Sequence, residues 1–148
     1  MKGWSVFLLL IFSVTKFEEL KTKKGPIHIK ADRMTILKKE KKILFEGNVS
    51  LKREDIFVHA DVAEVYMDEK FENIKRIIAK GNITAIQGDR NARCGRLEYI
   101  ADKDLMRLTL NPIIWTKTGI MRGEVIIIHL ESEIIEVEKA VTTVESSK

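Results

Sequence analysis

One cysteine, Cys94, is all that this chain of 148 residues offers for cross-linking. No internal disulfide can staple it, so packing and backbone pairing must hold it together. Cys94 is also far from the end of the N-terminal apolar run, where a lipid-modified cysteine would stand, and it reads as a small buried apolar side chain. That run, WSVFLLLIFSV from Trp4 to Val14, is 11 residues long, short of the roughly 18–20 that a membrane-spanning helix needs. Behind Lys2 and ahead of the charged stretch KFEELKTKK it has the shape of a secretory signal peptide, with a membrane anchor as the competing reading. Ser13-Val14-Thr15 is a poor cleavage site, which places the mature start anywhere from Lys16 to about Pro26.

A basic excess is missing as well. The formal charge of +4 comes from 26 Lys and Arg against 22 Asp and Glu. The first 25 residues hold five Lys and two acids, so 21 basic and 20 acidic residues follow them, a balance of +1. No electrostatic footprint for phosphate backbones remains, which argues against nucleic acid as a partner. Nor is there a nucleophile with a base at a fixed spacing, a glycine-rich phosphate loop or a catalytic triad. His28, His59 and His129 are scattered, without a cysteine cluster or ligand spacing, so no metal is expected. Asp32, Asp61, Glu64 and Glu124 could serve as acid and base, but the repeated Ala-Asp positions read as turn or edge fixtures, and no catalytic residue is assigned.

Helical periodicity is nearly absent after Pro26, and period-2 alternation takes its place. It puts Ile27, Ile29 and Ala31 on one face, and likewise Val49 with Leu51, and Ile56 with Val58. Ile83 pairs in the same way with Ala85, Leu108 with Leu110, and Ile126 with Ile128. An all-β domain over residues 26–140 is predicted, with residues 1–25 as signal and flexible lead and residues 141–148 as a C-terminal tail.

Within it the chain repeats itself. FEGNVSL and AKGNITA share a Gly-Asn pair at Gly47-Asn48 and Gly81-Asn82, 34 residues apart, and IKADRM echoes VHADVA. A looser third copy runs from Arg93-Cys94-Gly95 to Asn111-Pro112, and a fourth begins at Met121-Arg122-Gly123. Gly-Asn between alternating segments predicts tight reversals. Repeats of this size, each too small to bury its own apolar face, predict stacked hairpins sharing one core. The sequons Asn48-Val49-Ser50 and Asn82-Ile83-Thr84 are by-products of the repeat. EVIIIHL and EIIEVE are apolar on both faces, which points to a second apolar surface, either a subunit contact or a ligand groove.

The pieces PIHIKADRM, LFEGNVSL, VHADVAEVY, IAKGNITA, GRLEYIADKDLMRLTLNP and MRGEVIII, in that order over about Pro26 to Lys139, resemble the OstA-like/LptA family of periplasmic lipopolysaccharide-transport proteins. One departure is Leu110, which stands before Asn-Pro where the family usually has glycine. The resemblance implies an open V-shaped β-jelly-roll of stacked antiparallel hairpins and a non-enzymatic carrier, without cofactors. Lipid A acyl chains of lipopolysaccharide would lie in an apolar groove bounded by Ile27, Ile29, Val49, Leu51, Ile56, Val58, Ile83, Ala85, Leu108, Leu110, Ile126 and Ile128.

It further implies a periplasmic bridge from an inner-membrane transporter component to an outer-membrane translocon, by head-to-tail association. The expected edges are Ile27, His28, Ile29, Lys30 and Ala31 on one side and Ile134, Ile135, Glu136 and Val137 on the other. Charge favours unlike ends meeting, because residues 26–53 carry eight basic and three acidic groups and residues 124–148 two basic and six acidic. Two alternatives are a membrane-anchored LptC-like component of the same fold, and a β-repeat adaptor that binds only proteins.

Overall fold

A computed structural model of the chain describes residues 20–144. The expected signal segment, residues 1–19 of it, lies outside them. In chain order the strands are β1 (Lys21–Thr22), β2 (Gly25–Pro26), β3 (His28–Lys30), β4 (Arg33–Leu37), β5 (Lys42–Arg53), β6 (Ile56–Met67), β7 (Ile74–Gln87), β8 (Arg90–Ile100), β9 (Leu105–Thr109), β10 (Ile113–Trp115), β11 (Gly119–Arg122), β12 (Val125–His129), β13 (Ile134–Glu138) and β14 (Val141–Val144). One 3₁₀ turn spans Lys38–Glu40. Strands β3 to β14 form one 12-stranded sheet whose pairs are antiparallel. The all-β class expected from the alternation and the open sheet implied by the resemblance are what the chain adopts.

The Gly-Asn pairs correct one expectation. They do not reverse the chain but sit inside strands. Glu46 pairs with Val62 and Val49 with Ala60, so Gly47 and Asn48 together oppose the single residue Asp61. Gly81 and Asn82 oppose Asp61 on one side and Gly95 on the other. These are β-bulges, in which the extra residue bends the strand and raises its twist. Both bulge residues take positive φ, at 81° and 46° in the first and 82° and 45° in the second. Glycine meets the first requirement without a Cβ penalty, and asparagine tolerates the second.

Aligned across neighbouring strands, the bulges make a crease. Asn48 Nδ2 donates to the Asp32 carboxylate at 3.0 Å, and Asn82 Nδ2 to that of Asp61 at 2.9 Å. The Asp32 amide donates to the Gly47 carbonyl at 2.9 Å. Each repeated Ala-Asp therefore belongs to the bulge of the neighbouring repeat, which explains why the two motifs recur together.

The crease divides the sheet into two leaves of eight strands each. Residues 42–46 of β5, 62–67 of β6, 74–80 of β7 and 96–100 of β8 form the first, with β4, β9, β12 and β13. The remaining halves of the four long strands form the second, with β3, β10, β11 and β14. Between the leaves lies the core. Nearest the crease, Phe45, Ala63, Ala79, Leu97, Leu108 and Ile126 of the first leaf meet Val49, Ala60, Ile83 and Cys94 of the second, all buried.

The fold extends beyond the expected limits of 26–140. Leu20 and Thr22 are buried in a hairpin of β1 and β2, tied by Ile27 N donating to the Leu20 carbonyl at 2.8 Å. At the other end β14 pairs with β11, so residues 141–144 are strand and not tail. Lead and tail are the expectations for these two segments, and tertiary pairing orders them instead.

Candidate functional site

Farther from the crease the two inner faces part and leave an apolar groove. Its first section runs between Leu51 and Val58 of the second leaf and Ile77, Leu97, Tyr99 and Met106 of the first. A second section lies between Ala85, Ala92 and Ile114 on one side and Ile128 and Ile135 on the other. Ile56, Met106 and Leu130 border both, so the two sections adjoin. The lining is mainly apolar because each long strand alternates, sending every second side chain inward.

Of the residues expected in the groove, Ile27, Leu51, Ile56, Val58, Ala85 and Ile128 line it. Ile29 is half-buried against the core. Val49, Ile83, Leu108 and Ile126 lie at the crease, each at most 1 % exposed, where the leaves pack on each other. Leu110 is outside and 63 % exposed. Its alternation with Leu108 fails because β9 ends at Thr109, and Leu110 and Asn111 take φ of 61° and 58° as the crease continues. Ile77, Leu97, Tyr99, Met106, Ile114 and Leu130 were not expected there. RLEYI and MRLTL alternate clearly enough to have indicated Leu97, Tyr99 and Met106, whereas the consecutive Ile77-Ile78 hides which one faces inward.

One ionic group stands at the groove's end. Arg53, its side chain 14 % exposed, donates to the Asp104 carboxylate at 2.6 Å and to the Tyr99 hydroxyl at 3.1 Å. Tyr99 in turn donates to Asp104 at 3.3 Å. Burial works against the Arg53 charge, but the hydrogen bond to Asp104 and nearby negative charge more than offset it and raise its pKa. Burial also raises the Tyr99 phenol. Among the described residues the Arg53 Nε has no hydrogen-bond partner.

The candidate acids serve structure. Asp32 and Asp61 hold the crease asparagines, and Glu124 pairs with Lys139 at 3.2 Å. Glu64, on the outer face of the first leaf, sits between Lys42 and Lys80; hydrogen bonds from the two ammonium groups hold its carboxyl at about 2. Burial pushes the Cys94 thiol up to about 11, which leaves it protonated and unreactive at neutral pH. His129 bonds Glu136 at 2.9 Å. The two expected edge segments are both edge strands, β3 pairing with β5 and β13 with β12, but they belong to different leaves.

The described residues thus form an open two-leaved sheet with mainly apolar groove sections between its leaves and the Arg53–Asp104 pair at one end. The family model described as LptA/(LptD N-terminal domain) LPS transport protein matches residues 28–134, and the chain belongs to that family of lipopolysaccharide-transport proteins. No curated protein matches it. Among solved structures it is similar to LptH from Pseudomonas aeruginosa, described as the LptA homologous periplasmic component of the conserved lipopolysaccharide transport device. The TM-score is 0.74 at 12 % identity, over 85 % of this chain and 99 % of that one. At that identity the likeness is one of fold.

Proposed function

We propose that the chain is a periplasmic, non-enzymatic carrier that holds lipid A acyl chains in the groove and keeps the sugars outside. The observation that carries this reading is the pair of adjoining, mainly apolar groove sections between the two leaves. Each buried methylene contributes about 0.8 kcal/mol, so ten of them give roughly 8 kcal/mol before ordering costs. The same groove favours a carrier over a protein-only adaptor, whose interior would be filled. Photo-crosslinkers at Leu51, Val58 or Met106 should capture lipopolysaccharide. Crosslinking confined to outward positions such as Lys52 or Thr84 would reject the groove as the binding site.

Family membership and topology together support head-to-tail stacking between an inner-membrane transporter component and an outer-membrane translocon. With eight alternating strands per leaf, the two edges of a leaf run in opposite directions, so a translated copy meets them antiparallel. That assigns β13 of one copy to β4 of the next in the first leaf, and β14 to β3 in the second, in place of a β3–β13 pair, which would cross leaves. Unpaired edges invite such augmentation. The contact is heterologous and leads to open filaments. Whether the mature chain is free or anchored in the LptC-like manner is read from the N-terminal sequence of the exported protein.

A further inference from the structure

Eight large apolar side chains are exposed among the described residues: Met34, Phe57, Ile86, Leu110, Ile120, Ile134, Val141 and Val144. Met34, Ile134, Val141 and Val144 lie on edge strands and Leu110 on the crease. Phe57, Ile86 and Ile120 do neither; of these only Ile86 borders the groove, at its second section, and it is still about half exposed.

These three stand on the outer face of the second leaf. The ladder runs Lys52, Phe57, Ile86, Asn91 across β5 to β8, and Trp115 opposite Asn91 and Ile120 continue it on β10 and β11. Phe57 is 48 % and Ile86 46 % exposed. The adjoining row reads Ser50, His59, Thr84, Arg93, Ile113 and Arg122, with Lys30 beside Ser50 and His28 beside Lys52. Lys30, Lys52, Arg93 and Arg122 are the charged residues of these rows, and no acid is among them. The nearest acids border the face: Asp61 at the crease, held by Asn82, and Glu54, Asp55 and Asp89 in the hairpin turns. Lys52 lies 5.4 Å from the Phe57 ring centroid and Arg93 5.6 Å from that of Trp115. The first leaf's outer face is unlike this, because Glu64 and Glu98 neutralise Lys42, Lys80 and Arg76 there.

We infer that the outer face of the second leaf docks on an anionic phospholipid surface. Aromatic and aliphatic side chains interleaved with basic ones, and without acids, match the boundary between acyl chains and headgroups. There rings settle at the interface and Lys and Arg keep their charges at the phosphates. A sheet face with unopposed positive charge is drawn to the negative surface potential and would lie flat on it. The groove is on the opposite side of the leaf, so docking leaves it free.

Trp115 reports the contact directly. In the full chain carrying Trp4→Phe, Trp115 is the sole tryptophan, so its fluorescence is independent of whatever the N-terminal apolar run does. Vesicles of phosphatidylglycerol with brominated acyl chains should quench Trp115 and shift its emission to the blue, and brominated phosphatidylcholine vesicles should not. The triple variant Lys52→Glu, Arg93→Glu, Arg122→Glu should lose the quenching, with partitioning weakened roughly fivefold for each positive charge removed. All three positions are exposed, and an unchanged melting temperature shows that the variant is folded. An unquenched Trp115, equal quenching by both lipids, or quenching that survives the triple variant would overturn the proposal. So would binding of an acidic protein to this face in place of the vesicles. Lipopolysaccharide crosslinking in the groove is scored separately, so failure of one reading leaves the other standing.

Discussion

The Gly95 amide donates to the Leu110 carbonyl at 2.9 Å, and a Cβ built on Gly95 would lie 2.7 Å from that of Leu110. At the other crease positions the arrangement is reversed. Asp32 and Asp61 carry the side chain, and Gly47 and Gly81 leave room for it, with an added Cβ 2.6 and 2.5 Å from the carboxylate oxygens. The third rung thus exchanges Asp-with-Gly for Gly-with-Leu.

Coupling between the two positions follows. Gly95→Asp alone should destabilise the fold by about 1–3 kcal/mol, the usual range for forced overpacking. Leu110→Gly alone removes a left-handed leucine, which costs about 1–2 kcal/mol, and should be neutral or stabilising. The double variant rebuilds the pattern of the first two rungs and should recover most of the loss. Urea unfolding of the four proteins gives the interaction energy. Strictly additive effects would show that the exchange is coincidental.

The same crease shows how far the sequence could be read. Alternation and repetition made the β class, the inward faces of β5 to β8 and the recurrence of Ala-Asp with Gly-Asn legible from residues alone. Whether Gly-Asn reverses a strand or bends it is decided by what pairs beyond it, and Val49 continuing on Ala60 is a tertiary fact. Leu110 failed for the same reason, since its inward placement assumed that β9 ran on. Which apolar residues pack and which leave a passage depends on distance from the crease. Val49 and Leu51 have the same pattern and the same chemistry, yet only Leu51 borders the groove.

Acid should act on Glu64 more than on the exposed carboxylates. Its pKa falls from 4.5 to about 2 because Lys42 and Lys80 bond the ionised form. A depressed folded pKa means stability that is present above 4.5 and lost as pH falls toward 2, worth up to about 3 kcal/mol before screening at the partly exposed Lys80. Denaturant midpoints at pH 6 and pH 2.5 should differ less in Glu64→Gln than in the parent. An identical drop in both would show that the triad contributes nothing.

Asp104 is 4 % exposed and neutralises Arg53 at the groove's end. Removing one member of a buried pair leaves the other uncompensated, at a cost of about 3–5 kcal/mol. Asp104→Asn should therefore lower stability by that order, and adding Arg53→Met should restore much of it, since asparagine tolerates the φ of 48° at position 104. If Asp104→Asn is silent in urea unfolding, the pair is solvated in solution and the groove is open to water there.

Stacking has a register that can be tested by charge exchange. The outward row through Glu46 begins at Arg33 on β4, and the corresponding row on the far edge ends at Glu138 on β13. If the rows continue from one copy to the next, Arg33 meets Glu138, Thr35 meets Glu136 and exposed Ile134 meets Leu37, while inward Ile36 meets Ile135. Arg33→Glu and Glu138→Arg should each shorten filaments at high protein concentration, because a like pair then faces the join. Both changes together should restore length, since complementary charge orients the encounter and backbone pairing supplies the bond. Proline at Ile135 should abolish growth whatever the charges, because it removes an N–H from the edge strand. Light scattering across a concentration series separates the outcomes. Filaments that ignore both single reversals and the proline would place the contact elsewhere than on β4 and β13.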